Sequence, residues 1–480
     1  MVDMSRAAST TLTDRPADAP TASVAGAATS SSGFAAPGTA PRNGSANGAT
    51  IKAPGGAPGS RTNGPATTTG ATSSPIAQPT RGSLTIPPTA SFRLPTTPAA
   101  RLHHQIRLQW PVTRPELAAS TGLSQPTVAR GVTALIDAGL VEERPDLITG
   151  TATGRPRTPL APAKTPWLHV GAHMGLKVTH IAIFDTVGRV LRETDLHLAL
   201  DQLAPDEAID AIIAGIHRLR TGLARPLRTA GAALSGHVGA DGTVTSRSYG
   251  WGKTDLVGML SDGLGLPALA APDVAAMAAS ELAATPLKAP GTDAATAAAG
   301  AGFDDGRLPT SLYFYARELV GVAWTVDGAV HRPAHGDGSI GHLRPAASDL
   351  LGGDTLRDAV GSSGVLAAAR EHGVRAETFA DLVAAADSGA TARTILDERA
   401  RLLGLAVADV ADIVDPAHVI LAGAAFTADA AGLRVAARTI AATSPVRRDI
   451  RVSRARGTIT RDAARAVALD PLHRDPLNLA

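Results

Sequence analysis

The sequence predicts an α/β protein with a disordered tail, a small helical module and a larger two-part body. Residues 1–97 consist mainly of Ala, Gly, Ser, Thr and Pro, with few aromatic or branched apolar side chains. Residues 98–162 show helical periodicity followed by the pattern of two short strands. Residues 163–480 alternate between strand-like and helix-like stretches. That alternation is typical of an α/β fold.

The composition excludes several classes of protein. The chain has no cysteine, which excludes a disulfide framework and any zinc site with thiolate ligands. Its first residues lack the apolar core of a secretion signal. No run of about 18 apolar residues occurs, as a membrane-spanning helix would require. We therefore expect a cytoplasmic protein that does not contact a membrane.

The charge is distributed unevenly along the chain, although the net value is only +2. Residues 1–100 carry seven Lys and Arg against three Asp, and residues 101–160 carry seven Arg against five acidic side chains. The remaining residues are therefore net acidic. An N-terminal excess of positive charge is compatible with contact to nucleic acid there.

The tail, residues 1–97, is expected to be disordered. Its low-complexity composition buries too little apolar surface to offset the entropy lost on ordering the chain. Its scattered Lys and Arg side chains could contact DNA, but a solubilising role is the simpler interpretation.

The N-terminal module, residues 98–162, contains the pattern of a helix-turn-helix. Thr113 and Glu116 form a capping box, which predicts that a helix starts there. Gly122 ends this helix and Ser124 caps the next one. Two helices joined by a short turn that contains glycine are typical of this motif. A third helix is expected before them, and a strand, a loop and a returning strand after them would form a wing.

The second helix of this motif would enter the major groove of DNA by its N-terminal turn. Glutamine pairs with adenine, and arginine pairs with guanine or a phosphate. A helix N-terminus binds backbone phosphate, and wing arginines reach phosphate or the minor groove. The expected contacts with a double-stranded DNA operator are made by Ser124, Gln125, Thr127, Arg130, Arg155 and Arg157. The alternative is a three-helix module that contacts another protein.

The body opens with three strands, a helix over residues 205–220 and a further buried strand. This order of elements resembles one lobe of the actin-like, ribonuclease-H-like fold. A second lobe of the same kind is expected to begin near Ser311. The resemblance therefore divides the body into lobes of residues 163–308 and 309–480.

The module and the body together resemble the ROK family (repressor, open reading frame, kinase). The resemblance covers residues 99–480 and rests on the order and spacing of several short motifs. These motifs are GRPRTPL, GRVL, GHVGADGTVTSRSYGW, LGLPALAAPDVAAMAASELA, VDGAVHRPAHGDGSIGHL and VDPAHVILAG. The resemblance implies either a sugar kinase or a sugar-responsive regulator.

The residues that a kinase of this family needs for nucleotide binding are mostly replaced. Its first phosphate-binding turn aligns with His173–Lys177, where only Gly175 matches. His173 is a poor substitute for a carboxylate that organises Mg²⁺, and Leu176 adds a side chain where backbone should approach a phosphate. The second turn aligns with Arg317–Ala323 and keeps a single glycine. We therefore expect no enzyme activity, no catalytic residue and no cofactor.

The resemblance also places a sugar site and a structural zinc site. Asp273 aligns with the general base of the kinases, but the amide side chains that accompany this base are absent here. His342 aligns with the histidine of the family's sugar-site motif. The candidate ligand-binding residues are Trp251, Asp273 and His342. Asp273 could instead cap a helix, and His342 could be a structural histidine. The stretch after His342 has no cysteine, so zinc held as in the family is excluded.

These observations favour a sequence-specific DNA-binding transcriptional regulator that forms a homodimer or higher oligomer. Relatives of this type are mostly repressors, and the kinase-like body would sense a sugar or sugar phosphate, or would only dimerise. The alternatives are an active ATP-dependent sugar kinase and a scaffold that binds a partner protein. The sequence does not identify the effector or distinguish repression from activation.

Overall fold

The computed structural model describes four stretches of the chain, residues 86–148, 157–287, 308–455 and 457–479. They all belong to one compact unit. The tail that the sequence predicts to be disordered lies outside the described residues up to position 85, as does the centre of the wing. The structure therefore concerns the N-terminal module and the body.

The described part of the N-terminal module contains three α-helices and a pair of short strands. They are α1 (Pro98–Gln109), α2 (Arg114–Thr121), α3 (Gln125–Asp137), β1 (Val141–Glu143) and β2 (Leu160–Pro162), with a short 3₁₀ helix at Pro145–Leu147. Strands β1 and β2 pair antiparallel, with Val141 opposite Pro162.

The caps of α2 and α3 explain where these helices begin and end. The backbone N–H of Thr113 donates to the Glu116 carboxylate at 2.7 Å, and the N–H of Thr127 donates to the Ser124 hydroxyl at 3.4 Å. Gly122 adopts the left-handed conformation (φ 67°) that ends α2. Local sequence thus sets the turn between the two helices.

The first lobe is built on a five-stranded sheet in the order β10-β6-β3-β4-β5. Its strands are β3 (Leu168–Met174), β4 (Thr179–Phe184), β5 (Val190–Leu196), β6 (Leu227–Leu234) and β10 (Ala268–Pro272). Helices α4 (Pro205–Arg220) and α5 (Leu256–Leu264) accompany it, with a three-stranded sheet of β7 (His237–Val238), β8 (Val244–Ser246) and β9 (Trp251–Thr254). One face of the large sheet and helix α4 share an apolar core.

The second lobe repeats this topology in the order β13-β12-β11-β14-β15. Its strands are β11 (Ser311–Ala316), β12 (Val320–Val326), β13 (Ala329–Val330), β14 (His418–Ala422) and β15 (Asp449–Val452). In each sheet the first three strands are antiparallel and the last two run parallel to the first. The predicted two-lobed architecture is therefore present.

The helices of the second lobe cover its sheet. They are α7 (Leu356–Val360), α8 (Ser362–Glu371), α9 (Phe379–Ala386), α10 (Ala390–Val414), α11 (Ala424–Thr427) and α12 (Ala430–Thr443). Among the described residues, no helix combines the length and the apolar character needed to cross a membrane.

Two helices, α6 (Asp273–Ala283) and α13 (Ile459–Arg474), join the lobes. Their apolar residues share one core with residues of both sheets. Near the end of α6 the buried carboxylate of Glu281 accepts from the Ser453 hydroxyl and the Arg454 N–H, both at 2.6 Å. The two lobes thus share an apolar core and buried hydrogen bonds.

The position of α13 differs from the predicted lobe boundary, which assigned residues 309–480 to the second lobe. A β-carbon at Gly171 would overlap the backbone carbonyl of Ala464, and one at Gly231 would overlap the backbone of Ala468. The helix therefore lies directly on the first sheet. The sequence separation concealed this contact, because α13 returns to the first lobe after the whole second lobe has been made.

The last part of the predicted tail also differs from its expected disorder. Residues 86–97, called the strap below, pack on the body instead of belonging to the tail. Thr89 bridges to Ala270 of β10, and Arg93 bridges to Ala329 of β13. Phe92 is buried in the core between the lobes. Because the strap gains its order from edge strands distant in sequence, its own composition gives no indication of it.

The N-terminal module is packed firmly on the body. Leu469 and Leu472 of α13 and Leu479 of α14 (Pro476–Leu479) belong to the apolar core of the module. Arg107 of α1 donates to the carbonyl of Ala283 at 2.6 Å, and His104 lies 2.9 Å from the carbonyl of Thr285. Helix α1 therefore binds the C-terminal end of α6.

Several basic side chains meet at this junction between α1 and α13. Burial, followed by the charge of Arg107, lowers the pKa of His103 to about 3 and that of His104 to about 4. Burial and the same arginine hold the pKa of His473 well below its ordinary value. These histidines are neutral in the folded protein at neutral pH.

The close approach of α13 predicts that Gly231→Ala destabilises the protein by about 1–3 kcal/mol, because the added methyl group overlaps backbone that cannot yield. Urea unfolding measures the change. Gly252→Ala is the matched control, since nothing lies within 4 Å of its β-carbon position. An equal loss in the two variants would contradict the packing argument.

The buried histidines predict that the folded protein loses stability at acidic pH. Unfolded histidine takes up a proton near pH 6.5, whereas His104 in the fold does so near pH 4. The free energy of unfolding should therefore fall as the pH drops below about 6.5, by about 2 kcal/mol for His104 at pH 5. Unfolding of His104→Gln between pH 5 and 8 should show a shallower fall than wild type. If the unfolding free energies of the two proteins fall in parallel with pH, His104 is not the source of the acid sensitivity.

Candidate nucleic-acid interface and ligand cleft

Helix α3 turns one face inward and presents the other to solvent. Its buried residues Val128, Val132 and Leu135 belong to the core of the module. Gln125 and Arg130 are exposed, and Thr127 is half-buried with its hydroxyl 2.9 Å from that of Ser124. The four predicted contact residues of this region therefore lie on or beside the exposed N-terminal turn of the helix.

The arginines of the module divide into two groups. Arg101, Arg107, Arg114 and Arg144 bond within the protein; Arg114, for example, pairs with Glu143 at 2.7 Å. Among the described residues, Arg130 and Arg157 are the arginines of the module that make no ion pair or side-chain hydrogen bond, and both are exposed. These two guanidinium groups are available to an external anion.

The wing is described at its base. Val112 before α2 exchanges hydrogen bonds with Leu160 of β2, which fixes the strand pair to the helices. Arg157 precedes β2 by three positions. Arg155, the other predicted wing contact, lies outside the described residues.

The first aligned phosphate-binding turn is occupied by its own side chains. His173 is 7% exposed and its Nε2 has no hydrogen-bond partner among the described residues. Burial lowers its pKa to about 4, with further lowering from His180 and Arg317. Leu176 packs on the core of the first lobe and its carbonyl accepts from the N–H of Leu200. A neutral ring and an apolar side chain thus stand where phosphate binding needs a carboxylate and bare backbone.

The second aligned turn joins β11 to β12 and keeps Gly321 for a packing reason. A β-carbon there would lie 2.8 Å from the side chain of Val274 in α6. Gly321 also bridges to Ser339. This glycine therefore permits the second lobe to approach α6, whatever the turn once bound.

Asp273 is the first residue of α6. Its carboxylate accepts from the N–H of Val274 at 2.7 Å and the side chain is buried. Burial raises the pKa of Asp273 to about 7. The hydrogen bond from the Val274 N–H lowers this pKa, and the charge of Asp337 raises it further. Near neutral pH this carboxyl is partly protonated, so it could donate as well as accept a hydrogen bond.

Tyr249 is a residue of this region that the sequence analysis missed. Its hydroxyl donates to the carbonyl of Met174 and accepts from the N–H of Ser235 at 3.0 Å. Burial raises the pKa of Tyr249, and the charge of Asp273 adds to that effect. Tyrosine inside an otherwise ordinary loop gave no signal before the fold was known.

Among the described residues, neither Trp251 nor His342 makes a hydrogen bond or ring contact with Asp273. Trp251 is buried in the first lobe, packs edge-to-face on Tyr249 at 5.2 Å and donates from its indole N–H to the Leu203 carbonyl at 3.4 Å. His342 is exposed in a turn after Gly341. Trp251 therefore supports Tyr249 from the core, and its polar atom is already used.

No cluster of three or more His, Asp or Glu side chains in the described ranges is arranged to hold a metal ion.

Comparison with known proteins identifies relatives of the whole architecture, although no family model matches the sequence. Transcriptional regulators of Mycobacterium tuberculosis (Rv0485) and Mycobacterium bovis (Mb0495) are 36% identical over 405 residues, which is 81% of this chain and 88% of theirs.

Two solved structures share the fold. A ROK family transcriptional regulator, a homologue of the Escherichia coli Mlc protein, has a TM-score of 0.58 at 20% identity, over 78% of this chain and 97% of its own. A ROK family glucokinase from Streptomyces griseus, in complex with glucose and AMPPNP, has a TM-score of 0.50 at 17% identity, over 63% and 99%. The extent of the sequence match leads to one conclusion: this chain belongs to the family of these mycobacterial transcriptional regulators, and it has the fold of ROK family proteins.

Proposed function

We propose that this protein is a sequence-specific DNA-binding transcriptional regulator, acting as a repressor. The observation that carries the proposal is the pair of exposed, unpaired arginines, Arg130 on α3 and Arg157 beside the wing. The other described arginines of the module are used within the protein. The family of its relatives supports the same role.

In the proposed complex the N-terminal turn of α3 lies in the major groove of double-stranded DNA. Gln125 and Arg130 read base edges, while Ser124 and Thr127 contact backbone phosphate together with the N–H groups of the helix N-terminus. Arg157, with Arg155, contacts phosphate or the minor groove. The inward stripe of α3 keeps this face directed away from the protein.

We further propose that the body forms a homodimer or higher oligomer, so that two modules bind half-sites about one helical turn apart, or a multiple of it. Selection of duplexes from a random-sequence pool, followed by footprinting, tests both points. A footprint with two-fold symmetry supports the dimer. A chain that enriches no sequence contradicts the DNA-binding role.

The region around Asp273, on the helix that joins the lobes, is proposed to bind an effector, a sugar or sugar phosphate, with Asp273 as its central residue and His342 contributing from an exposed turn. Trp251 packs on Tyr249, whose hydroxyl bonds to Met174 and Ser235, so the two aromatic side chains are fixed within the first lobe. Effector binding would change operator affinity by altering the equilibrium between lobe arrangements.

We expect Arg130→Ala to weaken binding to the selected duplex by roughly 1–3 kcal/mol, because an arginine that reads a base loses both of its hydrogen bonds. Fluorescence anisotropy at fixed salt measures the affinity. Arg218→Ala, which removes the same charge from the exposed surface of α4 in the body, is the control. If both variants bind equally well, Arg130 makes no base contact.

We also expect the body to bind its effector without phosphorylating it, because both aligned phosphate-binding turns have lost their chemistry. A thermal-shift screen of sugars and sugar phosphates identifies the compound that raises the melting temperature. Turnover of ATP is then measured with Mg²⁺ and that compound. Turnover that depends on the sugar would show an active kinase.

A further inference from the structure

The strap, residues 86–97, is bonded to both lobes and ends at the first helix of the N-terminal module. On the first lobe, Ala90 donates to the Ala270 carbonyl at 3.2 Å and Ala270 donates to that of Pro88 at 2.9 Å. On the second lobe, Leu94 donates to the Gly328 carbonyl at 2.7 Å. Thr97 then caps α1. A short segment therefore connects the edges of two sheets with the module.

One further backbone hydrogen bond and one side-chain hydrogen bond reinforce the connection to the second lobe. Val330 donates to the Phe92 carbonyl at 2.8 Å, and Arg332 donates to the Thr89 hydroxyl at 3.0 Å. Any rotation of one lobe against the other must stretch or break some of these bonds, because the strap spans both edges.

Asp470 of α13 holds the middle of the strap. Its carboxylate accepts from the N–H of Ser91 at 3.2 Å and from that of Phe92 at 3.1 Å, and Arg474 donates to it at 3.0 Å. The side chain is 4% exposed. Phe92 has a φ of 36°, a conformation that is costly for a bulky residue. The buried carboxylate thus stabilises a strained bend in the strap.

The same helix also contributes to the module. Leu469 and Leu472, on either side of Asp470, lie in the core that contains α1 and α3. The strap, the module and the first sheet therefore meet on one helix.

We propose that the strap sets the position of the N-terminal module relative to the two lobes, and that Asp470 is the positioning residue for DNA binding. This inference rests on the proposed DNA-binding function. It makes operator affinity depend on a buried carboxylate that cannot touch DNA, and it provides a route by which lobe movement reaches α3.

Asp470→Asn tests the proposal in the full chain. Asparagine keeps the shape but replaces one acceptor oxygen by an amide group, so one strap N–H loses its partner. We expect faster amide hydrogen exchange at residues 86–97 and a Kd for the selected duplex that rises about three- to tenfold, the range for one hydrogen bond. Faster strap exchange with unchanged affinity would overturn the proposal.

Asp475→Asn is the matched control. It makes the same change from carboxylate to amide at the exposed C-cap of α13 and leaves the Asp470 carboxylate and its bonds to Ser91 and Phe92 in place. Exchange in the strap and the Kd should both stay near wild type. If this variant binds DNA as weakly as Asp470→Asn, a general loss of negative charge explains the effect and the strap does not.

An engineered disulfide between the strap and the second lobe distinguishes a positioning role of Asp470 from a simple loss of stability. Arg93 and Ala329 are an antiparallel pair whose neighbours make the hydrogen bonds, a geometry with close β-carbons, and the chain has no other cysteine. In Asp470→Asn carrying Arg93→Cys and Ala329→Cys, oxidation should restore affinity and reduction should abolish the rescue. Oxidation that protects the strap from exchange without restoring affinity contradicts the proposal.

The failure of the proposed function is distinguishable from the failure of this inference. If wild type enriches no duplex, the DNA-binding role fails, while hydrogen exchange still reports whether Asp470 holds the strap.

Discussion

The packing of α13 on the first sheet is the contact on which the other parts of the molecule depend. Gly171 and Gly231 lack β-carbons where the helix backbone lies against β3 and β6. This close approach lets one helix from the end of the chain cover the first sheet, share the core between the lobes and contribute leucines to the N-terminal module. The module is therefore held by residues more than three hundred positions away from it.

The two aligned turns show that packing alone can require a glycine. A β-carbon at Gly175 would lie 2.6 Å from the Val178 carbonyl oxygen, and one at Gly321 would lie 2.8 Å from the side chain of Val274 in α6. Leu176 and His173 are buried parts of the lobe. Each of the two glycines thus has a steric reason that does not depend on phosphate binding.

Local features of the sequence were sufficient for the helices of the module and for much of the first lobe. The capping box at Thr113, the Ser124 cap and helix α4 over Pro205–Arg220 were all predicted correctly, because each depends on neighbours within one turn of helix. The exposed face of α3 followed from the spacing of its apolar residues. The strap and the return of α13 were not predicted, because their partners are remote in sequence.

The sequence by itself determined the kind of fold, the family resemblance, the face of α3 that is exposed and the residue types at the two aligned turns. These properties follow from periodicity, caps and residue types read in order. Only the tertiary structure decided which described arginines of the module remain unpaired and that Trp251 is a core residue packed on Tyr249. It also decided that Asp470 holds the strap. Burial and hydrogen-bond partners arise from contacts between distant segments, and no local pattern encodes them.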